Sequence, residues 1–191
     1  MNVIKTEIEG AIIIEPKVFG DSRGYFFESF SQKDFCEQVL SGKYPCDMPE
    51  FVQDNESMSR YGVVRGLHYQ KPPFTQGKLL RVVLGTVLDV AVDLRADSPT
   101  FGKHVSVELS GENKRQFYIP AGFAHGFSVL SKEVIFQYKC TEFYDQASEG
   151  GLAWDDPMLN IDWKVPADKI LASEKDSRQM SFAQYAEHPV F

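Results

Sequence analysis

Apolar and polar residues alternate along this chain mostly with a period of two, which predicts strands rather than helices. Near the start, "AIII" at 11 to 14 reads as a short strand ended by Pro16, and "GYFFESF" at 24 to 30 reads as a second. The period changes in "SQKDFCEQVL", where Phe35 and Val39 stand four apart behind Ser31, a natural N-cap, and ahead of Gly42, a natural stop. One short helix is expected there. From residue 51 the β rhythm resumes in "FVQDNES", "GVVRGLHYQ", "KLLRVVLGTVLDVAVDLR", "KHVSVELS", "RQFYIP", "FAHGFSVL" and "EVIFQYKCTEFY". Pro-Pro, Asp-Ser-Pro, Ser-Gly-Glu-Asn and Pro-Ala-Gly supply turn chemistry between these runs. Strands punctuated roughly every 8 to 12 residues, without strand–helix–strand alternation, predict an all-β antiparallel sandwich or jelly roll.

The stretch 150 to 191 is less regular, with Trp154, Pro157, Trp163 and Pro166, and is expected to wrap the barrel before a short helix around 179 to 187. No repeat, low-complexity tract or linker divides residues 1 to 191, so one domain is expected. The 15 Phe and 8 Tyr against 2 Trp strengthen the β reading, because aromatic side chains suit pleated surfaces. The net charge of −7 argues against non-specific nucleic-acid or anionic-membrane partners, so an anionic ligand must meet a local basic cluster. Cys36, Cys46 and Cys140 lack CxxC spacing and are expected to be reduced thiols of a cytoplasmic protein. No signal-peptide pattern opens the chain and no apolar run approaches about 18 residues, so neither secretion nor membrane spanning is expected.

Residues two apart on a strand share a face. That rule groups Lys78 with Leu80 and Val82, His125 with Phe127 and Val129, and Tyr138 with Phe136 and Val134, each set a polar group at the end of an apolar row. This is the expected anatomy of a cavity in a β-barrel. Gln53 and Asn55 likewise point one way. In "VVRGLHYQ", however, Arg65 and His68 have opposite parity, and a bulge at Gly66 is needed to bring both inward.

Among four histidines, His68, His104, His125 and His188, no HxH pair occurs, since Gln70 follows His68 at that spacing. His68, His125 and a carboxylate remain a conceivable metal set, but the spacing favours a site without metal. No Gly-x-Ser-x-Gly elbow is present, and the cysteines have no cationic setting. Metal-free acid–base chemistry beside a carbonyl fits better. It needs a base, an electrophile for the enolate oxygen and an acid on the other face, roles open to His68, Lys78 and Tyr138. Asp176 in "SEKD" can orient the histidine, and Arg23, Arg65, Lys78 and Lys175 can meet an anionic ligand. Taken singly, each has a plainer reading: a satisfied core histidine, a core tyrosine, surface charges.

Together, "DSRGYFFESF", "QDN", "VVRGLHYQ", "QGKLLRV", "IPAGFAHGF" and "SEKD", in this order over about residues 20 to 178, resemble the dTDP-4-dehydrorhamnose 3,5-epimerase family. The resemblance implies a cupin-type double-stranded β-helix, or jelly roll, with a few short helices. It implies no cofactor or metal, and a homodimer that exchanges strands from residues 1 to 30. The implied reaction inverts C3 and C5 of dTDP-4-dehydro-6-deoxy-D-glucose on the way to dTDP-L-rhamnose. It sets the base on His68, its carboxylate partner on Asp176, the acid on Tyr138 and the residue near the C4 oxygen on Lys78. It sets substrate contacts on Arg23, Phe26, Glu28, Gln53, Asn55, Arg65, His125, Glu149 and Lys175. A sister enzyme acting at one carbon, a 3,4-ketoisomerase, or a non-catalytic sugar-nucleotide-binding barrel would share the scaffold.

Overall fold

The computed structural model describes residues 1–40, 42–46 and 50–191. Strands β1 (Asn2–Lys5), β2 (Ile12–Glu15), β10 (Gln116–Ile119), β7 (Lys78–Leu84), β12 (Glu133–Cys140) and β5 (Gln53–Arg60) form a sheet in that order. Strands β13 (Glu149–Gly151), β6 (Val64–Gln70), β11 (Phe123–Val129), β8 (Thr86–Asp93) and β9 (His104–Ser110) form a second. Every pairing within the two is antiparallel, and the expected all-β jelly roll is the fold observed. A separate hairpin, β3 (Phe19–Asp21) with β4 (Gly24–Phe26), belongs to neither sheet.

The period-two rows meet between the sheets. Leu80, Val82, Val87, Ala91, Phe117, Phe127, Val129, Val134 and Phe136 form one core, in which the Phe127 and Phe136 rings stack with centroids 4.5 Å apart. The five-stranded sheet is buried on its other face too. There Val64, Leu67, Val90, Val92 and Ala124 pack against Leu152, Leu159, Trp163, Phe182 and Tyr185 of the C-terminal stretch. Burial on both faces is why "TVLDVAVD" and "FAHGFSV" read as almost unbroken apolar runs, whereas β5, covered on one face, alternates.

Both short helices appear. Ser31 caps a turn at Gln32–Asp34 that runs on into a π-turn at Phe35–Val39, burying Phe35, Cys36 and Val39. The helix Phe182–Glu187 begins at Ser181 with a reciprocal Ser181–Gln184 capping box. Two expectations need correction. Only Gly24–Phe26 of "GYFFESF" is a strand, and its hairpin leaves Phe19, Tyr25 and Phe26 53%, 59% and 69% exposed because no sheet of the same chain covers them. The cysteines are not all free: the chain returns after the π-turn so that Cys36 and Cys46, with Cα atoms 6.0 Å apart, form a disulfide, and Cys140 alone is a buried thiol. None of the described helices is long and apolar enough to cross a membrane.

At the end of β8, the buried Asp93 accepts hydrogen bonds from Arg95, Ser98 and Thr100 at 2.5 to 2.8 Å. Burial works to raise this carboxyl, but the donors outweigh it and hold it at about 2. A folded value below the unfolded one stabilises the native state above about pH 4 and loses that contribution as pH falls toward 2. We predict that Asp93→Asn forfeits about 2 kcal/mol at pH 6 and much less near pH 2.5. Denaturant unfolding of both proteins across this range checks it; a pH-independent difference would contradict the assignment.

Candidate active site

The site begins with an extra residue in β6. His125 on β11 is the cross-strand partner of His68, yet Phe127, two residues on, partners Arg65, three residues back. The surplus falls at Gly66, whose φ of +120° is open to glycine and costly for other residues. A Cβ there would lie 2.6 Å from the Gly126 Cα and 2.7 Å from the His125 carbonyl oxygen. Parity therefore switches between Val64 and Leu67, which share the outer core, and Arg65 and His68, which both line the cavity. Arg65 is held at the rim by its Nε, which donates to Ser59 Oγ at 3.1 Å.

His68 meets Asp176 through Nε2, 2.5 Å from Oδ1, which leaves Nδ1 as the ring nitrogen able to take a proton. Asp176 sits on a one-turn segment, Asp176–Arg178, brought over β6 by the C-terminal wrap. Its other oxygen accepts from Ser173 Oγ at 2.8 Å, and its own N–H donates to that hydroxyl. Burial works to raise the Asp176 carboxyl, but the bonds from His68 and Ser173 prevail and hold it below the ordinary aspartate range.

Tyr138 and Lys78 stand on the opposite sheet, on β12 and β7. Burial pushes the Tyr138 phenol upward, so it stays protonated at neutral pH. Burial lowers Lys78, against the pull of Cys140, Asp89 and Glu149. His125 forms the floor, with Nε2 at 3.0 Å from both oxygens of the fully buried Asp89.

These groups enclose a cavity of about 530 Å³ lined by Arg65, His68, Lys78, His125, Tyr138 and Asp176, with Lys175 at its edge. An adjoining cavity of about 320 Å³ shares His68, Lys78 and Tyr138 and adds Gln53, Asn55, Tyr144 and Glu149. Gln53 donates to Asn55 at 2.9 Å, and Lys175 pairs with Glu149 at 2.6 Å, so both polar pairs are already arranged at the rim. Every site residue expected from position 53 onward thus reaches one joined space. Arg23, Phe26 and Glu28 do not. Arg23 lies 88% exposed on the hairpin and pairs with Asp21, Phe26 is on the same hairpin, and Glu28 borders a shallow pocket beside Met1 and Ile14.

Three further residues belong to the site. Asp89 carries the one legible sign, a carboxylate inside an apolar run, whereas Ser173 and Tyr144, whose hydroxyl donates to Glu149, look like ordinary loop residues. Among the described residues, no group of three or more His, Cys, Asp or Glu is arranged to hold a metal ion. Chemically, the cavity sets an oriented imidazole on one wall against a protonated phenol and a lysine amine on the other.

A family model described as dTDP-4-dehydrorhamnose 3,5-epimerase matches residues 5–184. The chain belongs to this family. The dTDP-4-dehydrorhamnose 3,5-epimerase of Shigella flexneri is 57% identical over 182 residues, covering 95% of this chain and 96% of that one. A crystal structure of the dTDP-6-deoxy-D-glucose-3,5-epimerase of Legionella pneumophila, in complex with dTDP-4-keto-L-rhamnose, is 52% identical with a TM-score of 0.87, covering 94% of this chain and 92% of that chain. A 3′-monoepimerase of Streptomyces bikiniensis, in complex with dTDP-quinovose, is 33% identical with a TM-score of 0.84, covering 95% and 88%. Epimerases of differing regiochemistry thus share this family's barrel.

A single methyl group added at the bulge would meet the backbone of β11. We predict that Gly66→Ala lowers stability by roughly 2 to 4 kcal/mol, since backbone on β11 blocks the added carbon. Equilibrium unfolding measures this, and a loss under about 0.5 kcal/mol would show that β6 can relax without the glycine.

Proposed function

We propose that the chain epimerises dTDP-4-dehydro-6-deoxy-D-glucose at C3 and C5 to dTDP-4-dehydro-L-rhamnose, in the cytoplasm, by metal-free acid–base chemistry. One observation carries this reading: His68 and Tyr138 stand on facing sheets across a single cavity. Inverting a carbon beside a ketone requires proton removal on one face and return on the other, and a base and an acid on opposite walls supply both.

In this mechanism the His68 Nδ1 takes the proton next to the C4 carbonyl, while Asp176 holds the ring and balances the imidazolium that forms. Lys78 steadies the enolate oxygen, and Tyr138 returns a proton from the far side. The same groups then act at the second carbon. Arg65 and Lys175, at the rim of a chain with net charge −7, are the cations placed to meet the diphosphate.

The exposed hairpin completes the proposal. We infer a homodimer in which strands of residues 1 to 30 cross over, so that Arg23, Phe26 and Glu28 serve the partner's cavity. Three exposed aromatic residues on a hairpin detached from both sheets support this, as does β5, an edge strand that carries Gln53 and Asn55 at the cavity rim.

Three outcomes are expected. In deuterated water, purified protein should incorporate deuterium at C3 and C5 of the substrate, and His68→Ala should lose roughly 100-fold or more of that rate. Exchange at the wild-type rate by the variant would remove His68 as the base, and exchange at C3 alone would make this chain a monoepimerase. Tyr138→Phe should continue to exchange solvent but yield a changed ratio of products by NMR; an unchanged ratio would remove it as the acid. Finally, Arg23→Ala and His68→Ala subunits, each inactive alone, should regain about a quarter of wild-type activity after mixing and refolding, because one site of each mixed dimer is intact. No recovery would place Arg23 in its own subunit's site or outside it.

A further inference from the structure

Asp89 is a buried charge that the acid–base scheme leaves unused. Its side chain is fully buried, on the face of β8 that carries Val87 and Ala91 into the inter-sheet core. Its strand neighbours are Phe127 on one side and Val107 on the other. Among the described residues its only side-chain hydrogen-bond partner is His125, whose Nε2 is shared between the two carboxylate oxygens at 3.0 Å each. One shared N–H is poor compensation for taking a carboxylate out of water, and an uncharged residue of this size would pack there at lower cost. A charge so placed is explained by what lies above it. His125 and Lys78 both line the cavity, and His125 is the cross-strand neighbour of His68. Asp89 acts electrostatically on each of the two, drawing positive charge toward the floor against the effect of burial.

We propose that Asp89 is a positioning residue of the reaction: from beneath the cavity floor it fixes the His125 ring and anchors, with Lys78, a positive pole facing the oxygen that becomes negative in the enolate. The proposal rests on the epimerase reading. It gives the two carboxylate–imidazole pairs different work. Asp176 orients the base, while Asp89 holds the side of the cavity where negative charge develops.

The alternative is that Asp89 and His125 are simply a satisfied polar pair in the core. Stability separates the two readings, because a structural pair weakens the fold when broken, whereas a charge kept for function is relieved when neutralised. Asp89→Asn is therefore expected to unfold at or above the wild-type denaturant midpoint and to bind dTDP within about twofold of wild type. Deuterium incorporation into the substrate is expected to fall roughly 10- to 1,000-fold, in kcat rather than KM. Asp89→Ala, which also removes the acceptor for His125, should be at least as slow. Exchange within about twofold of wild type in either variant overturns the proposal. So does a rate loss that merely follows a lowered unfolding midpoint, or failure of both variants to fold. A wild-type protein that exchanges no deuterium sinks the epimerase reading and this proposal together, and the wild-type control distinguishes that result from a failure confined to Asp89.

Discussion

The active face of this barrel depends on one close backbone approach. β6 carries one residue more than β11 along the same length, and the surplus fits only because Gly66 and Gly126 leave no side chains between the strands. Without that extra residue, Arg65 and His68 would point to opposite faces, and one would be driven into the apolar layer under the C-terminal wrap. With it, Val64 and Leu67 are buried outside while Arg65 and His68 open inside. A local break in the ladder thus brings Arg65 and His68 into the cavity that Lys78, His125 and Tyr138 also line.

The same sheet explains why folding and site assembly are one event. Its outer face is apolar and is buried only when residues 150 to 191 lie across it, with Trp163, Phe182 and Tyr185 packed on Val90, Val92 and Ala124. That wrap also delivers Asp176 to His68 and Lys175 to Glu149. Burial of apolar area supplies the driving force, and the charged contacts ride on it. The short wrap segment bearing Asp176 is fixed mainly by Ser173, and its position follows from core packing some residues away.

Electrostatically the cavity is divided. His68 lies on the five-stranded sheet with Asp176 brought over it by the C-terminal wrap, and Lys78 and Tyr138 lie on the six-stranded sheet, with His125 and Asp89 at the floor. Burial opposes every charge here, depressing Lys78 and His125 and raising Asp89 and Tyr138. Asp176, with two good donors, is held below its ordinary range despite its burial. The groups that burial shifts are those that the proposed proton transfer uses or rests on.

Period-two alternation was enough to show an all-β fold, the inward rows ending in Lys78, His125 and Tyr138, and the need for a bulge at Gly66, because side-chain parity along a strand is a local property. Capping likewise located the first short helix, since Ser31 bonds to its own first turn. Other features were decided by the fold. The Cys36–Cys46 bond, the pairing of Asp176 with Ser173 and the burial of Asp89 beneath His125 join positions whose spacing in the chain carries no signal. The separation of Arg23, Phe26 and Glu28 from the cavity is of this kind as well. Local pattern sets which way a side chain points, but only the packing of the sheets and the path of the C-terminal wrap determine what it meets there.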